Sequence, residues 1–302
     1  MIETIKIKSL NWHHILDPND DDFQFLRDTY HFHPLDIEDC RSVNQRPKID
    51  IYPEYYFLIL HFPNFDRWNR FLKTREVKVF WGTDFIITIG QSHWVVKDLF
   101  NSAKELSDIH GVLKVESSDA LLYKILEHLM IETFALIKKI GIEVELINRD
   151  LFNTRAEKTI ERISLTRRNI ILINTIFKPQ LKLFQKFESG EISGFQENMN
   201  DYWGNILDYY QKMWDMIEDY EEMIEGLSKT FDSLQTNRTN EIIKVLTFFS
   251  SIMLPLTLIT SLYGMNIKLP YQEDPHSFLY LAGISILIVF GLLYYFKRRK
   301  WL

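Results

Sequence analysis

With one cysteine in 302 residues, Cys40, the chain cannot form an internal disulfide. That excludes the stapled secreted scaffolds and suits a reducing compartment. Glycine is sparse, at 11 residues. No phosphate-cradling glycine loop and no nucleophile elbow is found, so an enzyme reading has no support. Basic residues are outnumbered, 35 Lys and Arg against 41 Asp and Glu, for a net charge of −6, which argues against nucleic acid as a partner. Residues Met1 to Trp12 alternate Ile with Lys and Thr and lack the apolar core of a signal peptide. The polar body is therefore expected to stay on the side where it is made. No proline falls between Pro179 and Pro255. Most informative of all, two long runs carry no charge: Val245 to Ile267 and Ser277 to Phe296.

Each run reaches the roughly 20 apolar residues a helix needs to cross a bilayer. The segment between them, 268–276, is too short for a domain, so the two helices are expected to form a hairpin. Cations mark their ends. Lys297, Arg298, Arg299 and Lys300 follow the second run, and Arg238 and Lys244 precede the first. The intervening loop has Lys268 set against Glu273 and Asp274. The positive-inside rule then places both termini in the cytoplasm and the loop outside. Tyr294, Tyr295 and Trp301 fit an interfacial aromatic belt. Two core helices of a soluble protein would seldom carry a tetrabasic stop beside such a run.

Upstream, residues 1–115 predict a cytosolic α/β domain, a sheet covered by helices. Thr4 to Lys8 alternates like a strand. Lys48 to Phe62 is rich in Ile, Tyr and Phe, with Pro53 suggesting an edge or bulge. Glu76 to Trp81 and Asp84 to Ile89, joined at Gly82-Thr83, read as a hairpin. Asp20 to Tyr30 and His93 to Ser107 read as helices. Residues 116–196 predict a long antiparallel helical hairpin. It opens at the Ser117-Ser118-Asp119 capping cluster and breaks near Phe152 and at Ser189-Gly190. Its second helix, Arg155 to Phe187, contains Pro179. A stalk helix, 197–244, repeats apolar residues from Tyr202 through Ile206, Met213, Ile217, Ile224 and Phe231 to Leu234 at three-four spacing. It is expected to run unbroken into the first membrane segment, 245–267. The external loop is 268–276. The second membrane helix and basic C-terminus occupy 277–302.

A polar stripe marks the first span. Asn240, Ile243, Thr247, Ser250, Leu254, Thr257 and Ser261 recur three or four apart and share one helix face. Small and hydroxyl side chains also gather at helix–helix contacts in membranes, so periodicity alone leaves pore and contact open. The second span offers only Gly283, Ser285 and Gly291. Two helices cannot enclose a channel, so a pore would need one first helix from each of several chains. Without charge in the span, an ion would meet hydroxyls, amides and carbonyls. These hard oxygen ligands suit Mg2+, which sheds water reluctantly.

The end of the first span reads Tyr263-Gly264-Met265-Asn266, and upstream lie Asn240 to Thr247 and Pro255-Leu256-Thr257. Far earlier stand His33-Pro34-Leu35-Asp36-Ile37-Glu38-Asp39 and Asn44-Gln45-Arg46-Pro47-Lys48. In these motifs, and in its basic end with Trp301-Leu302, the whole chain resembles the CorA family of magnesium transporters. The resemblance implies a funnel-shaped homopentamer in the bacterial cytoplasmic (inner) membrane. Its cytosolic domains are α/β/α, and long stalk helices continue as pore helices. Mg2+ enters down its gradient, and falling cytosolic Mg2+ opens the pore. Mg2+ is both cargo and regulator, and no organic cofactor is implied. Gly264, Met265 and Asn266 become the selectivity filter, with Asn266 and the Gly264 carbonyl holding the hydrated ion. Asn240, Ile243, Leu246, Leu254 and Thr257 join Thr247, Ser250 and Ser261 along the pore, the apolar ones forming a gate. Asp66 falls at a regulatory metal position. Asn205 stands where its acidic partner is expected, and Asp208 lies one turn on.

The outer loop departs from the family pattern. Many members have Met-Pro-Glu-Leu there, whereas this chain has Ile267 to Asp274 with an early lysine and later acids. Relatives move Co2+, Ni2+ or Zn2+, so a zinc or cobalt/nickel transporter is an alternative, as is a non-conducting membrane-tethered sensor. Other signals carry less. His13-His14 and His31-x-His33 could hold a transition metal, but no cysteine or third ligand has metal-site spacing, and His33 reads as part of a His-Pro-Leu turn. Asp201, Asp208, Asp215 and Glu222, seven apart, read as a solvated face. The sequon Asn237-Arg238-Thr239 lies on the cytoplasmic side and is idle.

Overall fold

The computed structural model describes residues 2–66, 68, 71–90, 93–106, 115–151, 156–196, 198–266 and 275–299. Strands β1 (Ile2–Ile7) and β2 (Leu10–Ile15) form a tight antiparallel hairpin. Helix α1 (Asp20–Tyr30) starts in a capping box. The Asn19 side chain accepts from the Asp22 N–H, and the Asp22 carboxylate accepts from the Asn19 N–H, satisfying two donors the first turn leaves open. Helix α2 (Pro34–Arg41) opens with Pro34 in its first turn and the His33 ring as cap. Strands β3 (Lys48–Ile51), β4 (Tyr55–Asp66), β5 (Phe71–Gly82) and β6 (Phe85–Ile89) follow, then α3 (Trp94–Leu106).

The sequence pattern missed two of these elements and merged two others. The Lys48 to Phe62 run is two strands, β3 and β4, hairpinned through a turn holding Pro53, with the Tyr52 N–H donating to the Tyr55 carbonyl. Strand β2 is absent from the alternation because Trp12 to Ile15 are all buried, so no period-two contrast remains. The His33-Pro34-Leu35 segment, expected as a turn, begins an eight-residue helix too short for a periodic signal.

The six strands lie in the order β1-β2-β6-β5-β4-β3. Among the described residues only β2 and β6 pair in parallel, aligning Asn11 with Phe85 and Ile15 with Ile89. One face carries α1 and α2, whose Phe23, Leu26, Ile37 and Cys40 bury against Phe57, Ile59, Phe80 and Ile87. The other face carries the long helices α4 (Ser118–Asp150) and α5 (Ala156–Glu188), which pack on β4 and β5. There Trp81 meets Phe187 and Trp203, and Trp12 meets Phe100 of α3. This is the α/β/α layering the resemblance implies. The expected helix starts hold as well: Ser117 caps α4 by accepting from the Ala120 N–H.

Buried polar groups tie these layers together. Lys78, on β5, reaches the C-terminal end of α2 and donates to the carbonyls of Asp39 (2.9 Å) and Ser42 (2.5 Å). An ammonium there satisfies open carbonyls and complements the negative end of the helix dipole. On the opposite side, β3 pairs with β4 no further than Ile59, so His61 presents its backbone to an uncovered edge. Gln180 of α5, fully buried, fills it. Its Oε1 accepts from the His61 N–H (2.6 Å), and its Nε2 donates to the His61 carbonyl (2.9 Å) and to the Tyr210 hydroxyl (3.2 Å).

Helix α6 (Asn200–Tyr263) contains Pro255, and α7 (Ser277–Arg298) is apolar until its last turn. The chain divides into two compact units, Met1–Ser228 and Lys229–Leu302. In the first, Ile206, Met213, Ile217 and Ile224 of α6 are buried, as the three-four spacing predicts, whereas Tyr202 is 50 % exposed and its neighbour Trp203 is buried in its stead. In the second, α6 and α7 each contain a stretch long and apolar enough to cross a membrane, with none of it buried by the chain itself.

Replacing Gln180 tests the edge seal. Gln180→Ala leaves the His61 N–H and C=O without partners and is expected to cost about 2–3 kcal/mol. That lowers the melting temperature of the full-length protein in detergent by about 5–10 °C. Gln180→Leu, which keeps the volume, should lose nearly as much. Full stability in Gln180→Leu would mean that packing and not hydrogen bonding fastens α5 to β4.

Candidate ion-conduction segment

The second unit supplies the expected pore residues. Asn240, Ile243, Leu246, Thr247, Ser250, Leu254, Thr257 and Ser261 all lie on α6 with exposed side chains, Leu254 at 69 %. The Thr257 hydroxyl donates to the Met253 carbonyl (2.8 Å), and the Thr260 hydroxyl to those of Leu256 (3.0 Å) and Thr257 (3.1 Å). A hydroxyl whose hydrogen is committed to its own helix turns lone pairs outward, and lone pairs suit a cation. Pro255 has no N–H to give the Ser251 carbonyl, which leaves one more oxygen without its helical donor.

Helix α6 closes as Gly264 donates its N–H to Thr260 (3.0 Å) and Met265 to Leu262 (3.2 Å). Gly264, Met265 and Asn266 therefore stand at the negative end of the helix dipole, beside the carbonyls of the last turn. All three are exposed. A side chain on Gly264 would press to 3.2 Å from the Thr260 carbonyl, so glycine lets this turn close tightly. The cation-favouring features of the segment are thus an oxygen-rich helix end, a neutral amide and outward hydroxyls, with no carboxylate.

Helix α7 meets α6 through Phe296, which is buried and packs edge-on against Phe248 at 5.3 Å. At about 100° per residue, Phe248 points roughly 140° away from the centre of the polar stripe. At this level the stripe is not the surface that α7 covers. The sequence left pore and helix–helix contact open, and this placement disfavours an intrachain contact.

The first unit holds the expected regulatory residues. Asp66 ends β4 and pairs across the hairpin with Lys73 (2.5 Å), and its Oδ1 accepts from the Trp68 N–H (2.9 Å). Lys73 is a neighbour the sequence reading passed over, although hairpin pairing puts it in reach. Asp208 is exposed on α6. Asn205, at the position expected to be acidic, donates to the Tyr123 hydroxyl (2.9 Å). Asp201, Asp215 and Glu222 are exposed, as a solvated face requires. Among the described residues, no group of three or more His, Cys, Asp or Glu side chains is placed to hold a metal ion. The outer loop from Ile267 to Asp274, and the end from Lys300 to Leu302 with Trp301, lie outside the described residues.

The histidine motifs are structural. His13 bonds the Thr4 hydroxyl (2.8 Å) through Nδ1 and the Tyr30 hydroxyl (2.7 Å) through Nε2. His14 bonds the Thr88 hydroxyl (2.8 Å). His31 is the left-handed C-cap of α1, and His33 is the N-cap of α2. Two buried carboxylates are occupied too. Asp36 accepts from the hydroxyls of Tyr55 (2.9 Å) and Tyr52 (3.2 Å). Asp119 accepts from the Phe195 N–H (3.1 Å), fastening the segment before α6. Burial raises the pKa of both acids.

The profile of the CorA-like Mg2+ transporter protein family matches residues 8–298. The cobalt/magnesium transport protein CorA of Thermotoga maritima is 24 % identical over 281 residues, covering 92 % of this chain and 79 % of that protein. Among solved structures, the complete CorA magnesium transporter from Methanocaldococcus jannaschii superimposes with a TM-score of 0.82 at 18 % identity. That match covers 99 % of this chain and 94 % of the other. The full-length CmaX protein matches with a TM-score of 0.77 at 18 % identity, over 97 % of this chain and 89 % of the other. At such identities the structural likeness speaks for the fold.

Burial lowers the pKa of His13, His14, His61 and His93. Near pH 6 the unfolded chain therefore binds more protons than the folded one, and stability rises with pH. The stabilisation is complete above about pH 6.5 and is lost as pH falls below it. Melting temperatures measured from pH 7.5 to 5.5 should fall steadily, and less so in His13→Gln. A flat profile over that window would show that these rings titrate alike in the folded and unfolded chain.

Proposed function

Because the chain belongs to the family of CorA-like Mg2+ transporter proteins, we propose that it is a homopentameric magnesium channel of the cytoplasmic membrane. Transport of divalent cations across a membrane is the function its family supports. The pentamer, the preference for Mg2+ and the residue roles below are our reading. In this arrangement five copies of α6 surround the pore and α7 lies outside. The position of Phe248–Phe296, away from the polar stripe, supports that arrangement.

The observation that carries the reading is Gly264-Met265-Asn266 at the negative end of an uncharged, oxygen-lined helix. Mg2+ holds its water shell tightly, so a filter acts best on the hydrated ion. Five Asn266 amides with five Gly264 carbonyls can accept hydrogen bonds from that shell. Below them, Ser261, Thr257, Ser250, Thr247 and Asn240 offer oxygens. Leu254, Leu246 and Ile243 form dry constrictions that gate by excluding water. The name of the Thermotoga relative includes cobalt, so Co2+ is a second cargo to test. A non-conducting tether needs neither the stripe nor Asn266.

Asn266→Ala should reduce Mg2+ entry into liposomes at least about tenfold, equivalent to ~1.4 kcal/mol in the barrier, while the oligomer stays intact. Offering Mg2+, Co2+ and Zn2+ separately reads selectivity in the same assay. Entry at the wild-type rate in Asn266→Ala would refute the filter. No entry of any cation through the wild type would favour the tether.

Control by cytosolic Mg2+ is proposed to act through Asp66, with Asp208 of a neighbouring subunit as partner. Carboxylates bind Mg2+ through one or two direct bonds plus water, and an ion held only by the closed form stabilises it by mass action. Lys73 now occupies the Asp66 carboxylate, so Mg2+ must compete with an ammonium. Limited proteolysis across a Mg2+ titration should show wild type protected at lower Mg2+ than Asp66→Ala or Asp208→Ala. Lys73→Gln should be protected at lower Mg2+ still. Superimposable curves for all four proteins would place the sensor elsewhere.

A further inference from the structure

Beyond Asp66 the β4–β5 hairpin carries an indole that its own chain leaves bare. Trp68 is 96 % exposed, and among the described residues no ring and no cation packs on it. Phe65, beside Asp66, is 45 % exposed. The aromatic that opens β5 is treated differently. The Arg168 guanidinium of α5 lies 3.7 Å from the centre of the Phe71 ring, and the Lys73 ammonium 5.7 Å from it. The Trp68 N–H donates to Asp66 Oδ1 (2.9 Å), so the backbone at Trp68 is tied to that carboxylate.

A complementary patch lies on α4 and α6 within the same unit. Tyr123 meets Tyr202 with ring centres 5.1 Å apart, and Phe134 meets Tyr209 at 5.5 Å. Each pair joins the two helices. Residues 202 and 209 are seven apart, and 123 and 134 eleven apart, so each helix presents one face to the patch. Lysines from both helices converge on it. The ammonium groups of Lys138 and Lys212 lie 4.7 and 5.7 Å from the centre of the Phe134 ring. Among the described residues neither makes an ion pair. Glu127, held by Lys124 (2.7 Å), and the exposed Asp208 border the patch. Tyr202 is 50 % exposed, and Phe134 and Tyr209 are half-buried, so ring surface still faces solvent.

An indole is the ring that attracts cations most strongly, and Trp and Tyr are favoured anchors of protein interfaces. The Asp66–Asp208 pairing proposed above supplies a register. Asp208 directly precedes Tyr209 and lies one turn before Lys212. Two residues span at most about 7 Å, so a tip that brings Asp66 to Asp208 of the next subunit also brings Trp68 to this patch. We propose that Trp68 of one copy docks over Phe134, Tyr209 and Lys212 of the next. The inference rests on the homopentamer reading and its register, and the contact itself needs no metal. Tip and patch are different surfaces of one chain, so the docking is head-to-tail and, repeated, closes a ring.

The test uses the full chain in detergent, with oligomer mass measured by light scattering. The native thiol, Cys40, is buried, so a short bismaleimide reads introduced cysteines. W68C/K212C should give a ladder that extends past the dimer. W68C/K178C, whose second site is an exposed position of α5 outside the patch, should give none. Trp68→Ala should raise the concentration at which the oligomer dissociates at least about tenfold, and Trp68→Phe by less, with the melting temperature of the body unchanged. An oligomer without the W68C/K212C cross-link, a ladder that stops at the dimer, an equal ladder from W68C/K178C, or wild-type dissociation in Trp68→Ala would each overturn the docking. A wild type that is monomeric by light scattering would overturn the pentamer reading and the docking with it. A full ladder with no effect of Asp66→Ala on proteolysis would strike the metal site and leave the docking in place.

Discussion

Hydrocarbon offers no partner to a backbone N–H or C=O, and the second unit follows from that constraint. A segment crossing a bilayer must satisfy its polar backbone internally, so it is helical. It must also avoid charge, because an uncompensated ion there is costly. The chain meets both demands. The apolar part of α6 and nearly all of α7 are uncharged helix, and the hydroxyls of Thr257 and Thr260 are spent on carbonyls of their own turns. A cation passing such helices can be met only by oxygen dipoles. The helix end at Gly264-Met265-Asn266 concentrates those dipoles where the last carbonyls lack internal donors.

The same accounting governs the first unit, where protein and not lipid excludes water. A buried polar group must be paired or it destabilises the fold. Here each pairing also positions an element. Lys78 fixes the end of α2 against β5. Gln180 fixes α5 against the β4 edge. Asp119 fixes the segment leading to α6. Polar ties are directional where apolar contacts are not, so they set register between layers that hydrophobic burial merely brings together.

These two regimes bear differently on function. The proposed conduction path draws on the uncharged, oxygen-bearing helix, where little can titrate between pH 5 and 8. The pH dependence of stability belongs to the buried histidines of the body, of which His13 ties β2 to β1 and α1 and His14 ties β2 to β6. A pH effect on stability and an ion effect on conduction therefore have separate structural origins. The carboxylate of Asp66 lies between them in character: charged and near the surface, it already has a lysine for a counter-ion.

What the sequence determined by itself is whatever a few neighbouring residues decide. Charge-free length revealed the spans, three-four spacing revealed the stripe and most of the buried seam of α6, and the Ser117-Ser118-Asp119 cluster placed the start of α4. The terminal Gly-Met-Asn located the filter candidate. These signals are local because a helix turn and a bilayer crossing are local demands. Beyond the β5–β6 hairpin signalled at Gly82-Thr83, tertiary structure decided which strands are neighbours. The parallel pairing of β2 with β6 joins residues more than seventy positions apart, and β2 itself is uniformly buried and carries no period. Spacing alone spoke against the histidine pairs as metal ligands, but only the fold brought Thr4 and Tyr30 to His13 and Thr88 to His14. Lys73 on Asp66, Gln180 on His61 and Phe296 on Phe248 likewise depend on two elements meeting. Such meetings follow from burying whole faces against one another, and a face's partner is not written in its own spacing.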